Sequence, residues 1–171
     1  MSTTPANKVR RAWKSWVLEI GFVLAVMVGL HFVQTRHAAS GLAPRIDETS
    51  LDGARVRLTG PRDKPLLVHF WATWCGVCTA EAGNISALTG THDVLTIASH
   101  SGSDADVRAN LASRGLNWPV VNDPTGTIAA KWGVGAFPTT FVVAPDGTIQ
   151  NVEAGYTTTL GLKARMWMAG L

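Results

Sequence analysis

The chain has 171 residues, 46% apolar and 16% charged, enough for one domain and a tail. Its formal charge of +3 belongs to the first 34 residues, where Lys8, Arg10, Arg11 and Lys14 outnumber Glu19; from Arg36 onward 11 basic and 11 acidic residues balance. No stripe of Lys and Arg with interleaved aromatics is present, which argues against nucleic-acid binding, and two cysteines three positions apart exclude a distributed disulfide framework.

In chain order, residues 1–15 are predicted to form a basic cytoplasmic arm. Trp16 to Val33 (WVLEIGFVLAVMVGLHFV) follows as an apolar run. Eighteen residues of helix span roughly 27 Å, just short of a hydrocarbon core, with Glu19 and His31 near its two ends. Residues 16–34 are therefore expected to be a transmembrane anchor, and the positive-inside rule places everything beyond it outside the cytoplasm. A cleaved signal peptide ending near His37-Ala38-Ala39 is the alternative; the apolar run exceeds the usual h-region, which favours the uncleaved anchor. Residues 35–45, with Gly and Pro and no periodicity, read as a linker, and the domain as 46–171.

Within that domain, Ala54–Leu58 alternates as a half-exposed strand does. Pro65–Trp71 (PLLVHFW) and Val94–Ala98 are continuous apolar runs suited to buried strands. Thr79–Leu88 is helical in composition, and Asp104 is placed to cap a helix that ends at Gly115. Asp123–Thr125 opens a short helix to Trp132. Thr139–Val143 and Thr148–Glu153 make a hairpin across Asp146-Gly147, and Thr157 or Thr158 caps a final helix to about Met168. Apolar strands alternating with helices predict an α/β sheet covered on both faces.

The chemistry sits at Phe70-Trp71-Ala72-Thr73-Trp74-Cys75-Gly76-Val77-Cys78. A pair of cysteines at this spacing is open to three readings: a redox pair, half a metal site, or two core thiols. Its place between a buried strand and a helix selects the first. The thiolate is the nucleophile, and unpaired N–H groups at a helix N-terminus stabilise it. The i, i+3 spacing lets the second sulfur close a disulfide and release a mixed-disulfide partner. Cys75 is thus expected to be the exposed attacker and Cys78 the deeper resolver. His69, His92 and His100 read as packed or surface residues. Trp71 and Trp74 are expected to pack around the site, with Trp74 shaping the surroundings of the dithiol. Met166 and Met168, two apart, fall on different helix faces and do not make a copper-binding cluster.

FWATWCGVC resembles the active-site segment of thioredoxin-like proteins, in particular the anchored bacterial group that includes TlpA, ResA and the cytochrome c maturation thioredoxins. NDPTGTIAAKWGVGAFPTTFVVAPDGTI is similar to the same group, and with the ending GYTTTLGLKARMW the likeness is greatest to the copper-sensitivity suppressor ScsD-type proteins. The resemblance covers about residues 45–170. It implies a thioredoxin-like fold with a central mixed sheet, an N-terminal β-hairpin addition, and a preceding transmembrane helix. It also implies a cis-proline at Pro138 opposite the dithiol, with Phe137 offering backbone hydrogen bonds to an extended substrate, and a proton-accepting carboxylate at Glu81 beside Cys78. Trp74, Gly76 and Val77 complete the expected substrate contacts. Many relatives have proline two residues after that glutamate, where this chain has Gly83.

The implied activity is thiol–disulfide exchange with extracytoplasmic proteins, without metal or organic cofactor beyond the redox-active disulfide. The likeness to TlpA and ResA favours a reductase recycled by a membrane electron-transfer partner at the bacterial inner membrane. A second reading makes the two thiolates a Cu(I)-binding module for periplasmic copper handling, since soft thiolates select Cu(I); the absence of further Cys or Met ligands near the motif argues against it. A scaffold role, which needs no dithiol, is third.

Overall fold

The computed structural model describes the backbone of residues 5–171 and, within them, all side chains except those of residues 5–15, Val17, His31, Phe32 and Gln34. The chain divides into two units, Met1–Arg36 and His37–Leu171.

The first unit is one helix, α1 (Pro5–Thr35). Among the described residues no helix is long and apolar enough to cross a membrane, so the span expected over 16–34 is not met there. The stretch whose side chains are all described, 18–30, is shorter than the roughly 20 residues a bilayer core needs and includes Glu19. In the rest of the expected span the side chains of Val17, His31, Phe32 and Gln34 lie outside the described ones, as do those of the arm 1–15. The described apolar side chains of α1, Leu18, Phe22 and Leu24 among them, are exposed.

In the second unit the strands are β1 (Gly41–Leu42), β2 (Ile46–Thr49), β3 (Arg55–Leu58), β4 (Leu66–Trp71), β5 (Asp93–Ser99), β6 (Val120–Asp123), β7 (Thr139–Val143) and β8 (Thr148–Ala154). The helices are α2 (Gly76–Thr89), α3 (Asp104–Ser113), α4 (Thr127–Lys131) and α5 (Thr159–Ala169). Six strands form one sheet in the order β1-β8-β7-β4-β5-β6, and β2 and β3 form a separate hairpin. All six residues of β4 are buried, because it lies between β5, parallel to it, and β7, antiparallel to it. That position explains why LLVHFW is an unbroken apolar run apart from His69. His69 is fully buried; its Nδ1 lies 2.9 Å from the Thr140 hydroxyl, and burial pushes the imidazole down to about 3, leaving it neutral.

Two cores cover the sheet. One contains Leu67, Trp71, Cys75, Cys78, Ile85, Leu88, Val107, Leu111, Leu162 and Met166, so α2, α3 and α5 pack on that face. The other contains Val68, Phe70, Phe141, Val143, Ile128 and Trp132, with Ile46 and Leu58 of the hairpin. The Trp132 ring is tilted against Phe70 at 5.5 Å and stands edge-on to Phe141 at 4.9 Å, filling the space under α4.

Four expectations are corrected. The stretch read as a linker joins the domain: Ala39 N donates to Trp132 O, Ala43 N to Gly147 O, and β1 pairs with β8. Gly133 makes this docking possible, because it has φ +65° and a Cβ there would collide with the His37 carbonyl. The segment Val120–Asp123 is a strand, parallel to β5, where the sequence suggested none; its four residues are too few to show a period. Asp123 starts no helix by backbone position. Its buried carboxylate instead accepts from Ile128 N, Ala129 N and the Ser99 hydroxyl, capping α4 from the end of β6. Ser103, not Asp104, caps α3, in a reciprocal box with Asp106. The other elements lie where the periodicity places them, and Thr158 caps α5.

Candidate active site

The chain leaves β4 at Trp71 and enters α2 at Gly76, and the four residues between are held at several points. Thr73 N donates to the Ser101 hydroxyl at 3.0 Å, which donates to Ser99 O; Cys75 N donates to Ala72 O. Cys75 is the N-cap of α2, in extended conformation, and its Sγ accepts the Cys78 N–H at 3.1 Å. One of the orphan donors of the helix, on its third residue, is thus satisfied by the sulfur that the sequence marks as nucleophile. Cys75 and Cys78 are joined as a disulfide. Cys75 is 6% exposed and Cys78 2%, so the first is the outer sulfur of a pair that is largely buried in this form. Gly76 is exposed and Val77 is 47% exposed.

Glu81 lies three residues after Cys78 on the buried face of α2. It has no exposed surface; Oε1 accepts the Thr157 N–H at 2.9 Å and Oε2 has no partner. Burial, only partly offset by that hydrogen bond, pushes its carboxyl up to about 7. The segment over it is tied down by Asn84, which donates to Thr157 O and the Tyr156 hydroxyl and accepts from the Thr159 hydroxyl. With glycine at 83, α2 runs without interruption from Gly76 to Thr89.

The Phe137–Pro138 peptide is cis, and Pro138 directly precedes β7. Since Thr139 pairs with Phe70 of β4, this loop lies beside the strand end from which the dithiol emerges. The Phe137 ring stands edge-on to Trp74 at 5.9 Å and to His100 at 6.4 Å. Trp74 is 66% exposed, and its indole N–H donates to His100 O at 2.9 Å.

The fold therefore brings Cys75, Cys78, Glu81, Trp74, Phe137 and Pro138 to one end of the sheet, although they span 64 positions of sequence. Thr157, Asn84 and His100 belong to the same surroundings and were missed. The threonine-rich TTT at 157–159 reads in the sequence only as a cap, and no local pattern marks Asn84 or His100. Among the described residues no group of three or more His, Cys, Asp and Glu side chains is placed to hold a metal ion.

A mixed sheet flanked by helices, with a dithiol at the junction of its central strand and the following helix, defines a thioredoxin-like thiol–disulfide oxidoreductase. The chain belongs to the Redoxin family, whose model matches residues 38–164. It is 38% identical over 110 residues to a thioredoxin-like protein of Haemophilus influenzae, covering 63% of this chain and 65% of that protein, a little under two thirds of the relative's length. It is 29% identical over 137 residues to the thiol-disulfide oxidoreductase ResA of Geobacillus thermodenitrificans, covering 78% of this chain and 79% of that one. The solved structure of a thiol:disulfide interchange protein of the thioredoxin family from Chlorobium tepidum superposes with a TM-score of 0.65 at 23% identity, covering 77% of this chain and 97% of the other.

The buried Glu81 makes stability depend on pH. Its ordinary value of 4.5 applies to the unfolded chain and about 7 to the folded one, so between these values the folded protein holds the extra proton. Stability then falls as pH rises across that window, and the full cost, about 3 kcal/mol, is present above it. Glu81→Gln, neutral at every pH, is expected to remove most of this dependence. Urea midpoints of the oxidised chain at pH 4.5 and 8 should drop for the parent protein and stay nearly level for the variant.

Proposed function

We propose that the chain is an extracytoplasmic protein disulfide reductase, held at the bacterial inner membrane, in which Cys75 attacks and Cys78 resolves. The observation that carries the assignment of roles is the hydrogen bond from Cys78 N–H to Cys75 Sγ at the start of α2. In the reduced form that N–H and the helix N-terminus face the Cys75 sulfur and favour its thiolate.

The Cys75 thiolate attacks one sulfur of a substrate disulfide, forming a mixed disulfide, and the other substrate sulfur leaves as a thiolate that takes up a proton. Cys78 gives its proton to Glu81 and attacks Cys75 Sγ. The Cys75–Cys78 disulfide closes and the second substrate thiolate departs. The substrate gains two electrons and the dithiol loses them. Glu81 suits its part because a carboxyl near 7 is matched to accept a proton near neutral pH. Trp74, Gly76, Val77 and Phe137 form the surface against which the substrate chain lies, and Pro138 shapes the loop opposite the sulfurs. A membrane thiol donor returns the pair to its reduced form.

The location is supported by the apolar run over 16–34, by Lys8, Arg10, Arg11 and Lys14 before it, and by the apolar side chains that α1 exposes. A reporter active only outside the cytoplasm, fused after Leu171, is expected to be active; activity of a cytoplasm-only reporter at that position would reverse the orientation.

Two further measurements test the chemistry. Cys78→Ser should accumulate mixed disulfides with substrate proteins through Cys75, while Cys75→Ser should trap none; the opposite pattern would exchange the two roles. Equilibration of the full chain with glutathione should give a midpoint near the thioredoxin value of about −270 mV. A midpoint near the strongly oxidising −120 mV or so would make it an oxidase of thiols.

A further inference from the structure

His100 follows the last residue of β5 and is the one non-glycine among the described residues with positive φ, at +50°. Outside glycine that conformation is uncommon, although histidine, like asparagine and aspartate, adopts it more readily than other residues, and here three contacts use it. The His100 carbonyl accepts the Trp74 indole N–H at 2.9 Å. Its imidazole stands edge-on to Phe137 at 6.4 Å, the ring that also meets Trp74 at 5.9 Å. On its other side the imidazole lies where a side chain on residue 126 would be: Gly126 has φ +73° and a Cβ there would collide with the ring. His100 N donates to Asp123 O, which ties the same residue to the end of β6. One residue thus joins Trp74, next to the attacking sulfur, to Phe137, next to the cis-proline, through backbone and side chain at once.

We propose that His100 is a positioning residue for the substrate, holding Trp74 and Phe137 as a fixed aromatic platform beside the dithiol on which the polypeptide flanking the target disulfide docks. This rests on the proposed function for its substrate, but the positioning itself is readable without turnover. An exposed tryptophan is free to adopt other rotamers, and each that it samples removes contact area from the bound chain. Fixing it in advance lowers the cost of binding. The two parts of His100 contribute separately. The left-handed backbone places the carbonyl under the indole, and the ring braces Phe137.

The test uses the full chain with ¹⁵N-labelled indoles, the Trp74 resonance being assigned by its loss in Trp74→Phe. His100→Val, which disfavours positive φ, should move or broaden the Trp74 indole N–H signal. His100→Asn, which tolerates that conformation, should restore it while still lacking the ring. With a peptide carrying one intramolecular disulfide and a leucine beside its first cysteine as substrate, both variants should raise KM, the valine variant more, by about three- to tenfold. kcat should fall less than KM rises. Gly126→Ala, which displaces the ring and leaves residue 100 unchanged, should raise KM in the same sense. Urea midpoints within the range of the parent protein show that each variant remains folded. An unmoved Trp74 signal in His100→Val, or a KM equal to that of the parent in both His100 variants, would overturn the proposal. A parent chain that does not reduce the peptide would overturn the reductase reading instead, and the indole signal would then decide the positioning alone.

Discussion

A helix that starts at the end of a buried strand has several backbone N–H groups with no partner, and in α2 one of them, that of the third helical residue, is met by a sulfur. Most helices use an oxygen at this position. Here Cys78 N–H points at Cys75 Sγ, so the atom that does the chemistry is also part of the helix start. The consequence is electrostatic. When the sulfur becomes an anion it gains a charge-assisted hydrogen bond and the favourable end of the helix dipole. The hold on Thr73 by Ser101, and on Ser101 by Ser99, matters because it fixes where that sulfur sits relative to β4 and β5. A looser connection would leave the cap to water.

Glu81 is the opposite case, a group whose burial works against stability. A carboxyl with no exposed surface, one N–H partner and an unpartnered second oxygen sits in a place where an apolar residue would fit with less cost. Strong perturbation of a titratable group next to a reactive one is the usual mark of a functional site. The surrounding network keeps the perturbation in place. Asn84, one turn along α2, binds Thr157 O and the hydroxyls of Tyr156 and Thr159, holding the start of α5 across the carboxylate and keeping water from it. Thr157 and Thr159, on either side of the N-cap Thr158, therefore do more than flank a helix start; they belong to the clasp over Glu81.

The sequence made much of this fold legible because its strongest signals are physical ones. The runs Leu66–Trp71, apart from His69, and Val94–Ala98, apart from Thr96, are apolar since both faces are covered, and Asp146-Gly147 at a hairpin leaves little choice of turn. Cys75 and Cys78 were recognisable from their place at a strand-to-helix junction. Glu81 and Pro138 came only through family resemblance, for nothing local distinguishes a buried glutamate from a surface one on the first turns of a helix. What stayed hidden was long-range. β1 has two residues, and its pairing with β8 depends on Gly133 allowing His37 to approach. β6 is short, and Asp123 looked like a helix start because its carboxylate caps α4 from a strand. His100 looked like an ordinary strand-end histidine, since the rings and the glycine that surround it come from positions 74, 126 and 137.

The site lies where the topology leaves room for one. β4 is the strand at which the order of the sheet reverses: β5 and β6 extend to one side, β7, β8 and β1 to the other. Connections from the parallel strands β4, β5 and β6 leave the same end of the sheet, whose register runs from Phe70 opposite Thr139 to Trp71 opposite Ala98 and Ser99 opposite Asp123. The first two lead to α2 and α3 on one face of the sheet, and the third to α4 on the other. β7 enters at that end rather than leaving, and brings Phe137 and Pro138 with it. Four separate segments, 72–75, 100–101, 123–126 and 136–138, consequently come to that end of the sheet. Trp74 and Val77 can stay exposed there without weakening either core, because each core is closed by residues behind them. The apolar surface they present is an outcome of the strand order, and the dithiol stands in the middle of it for the same reason.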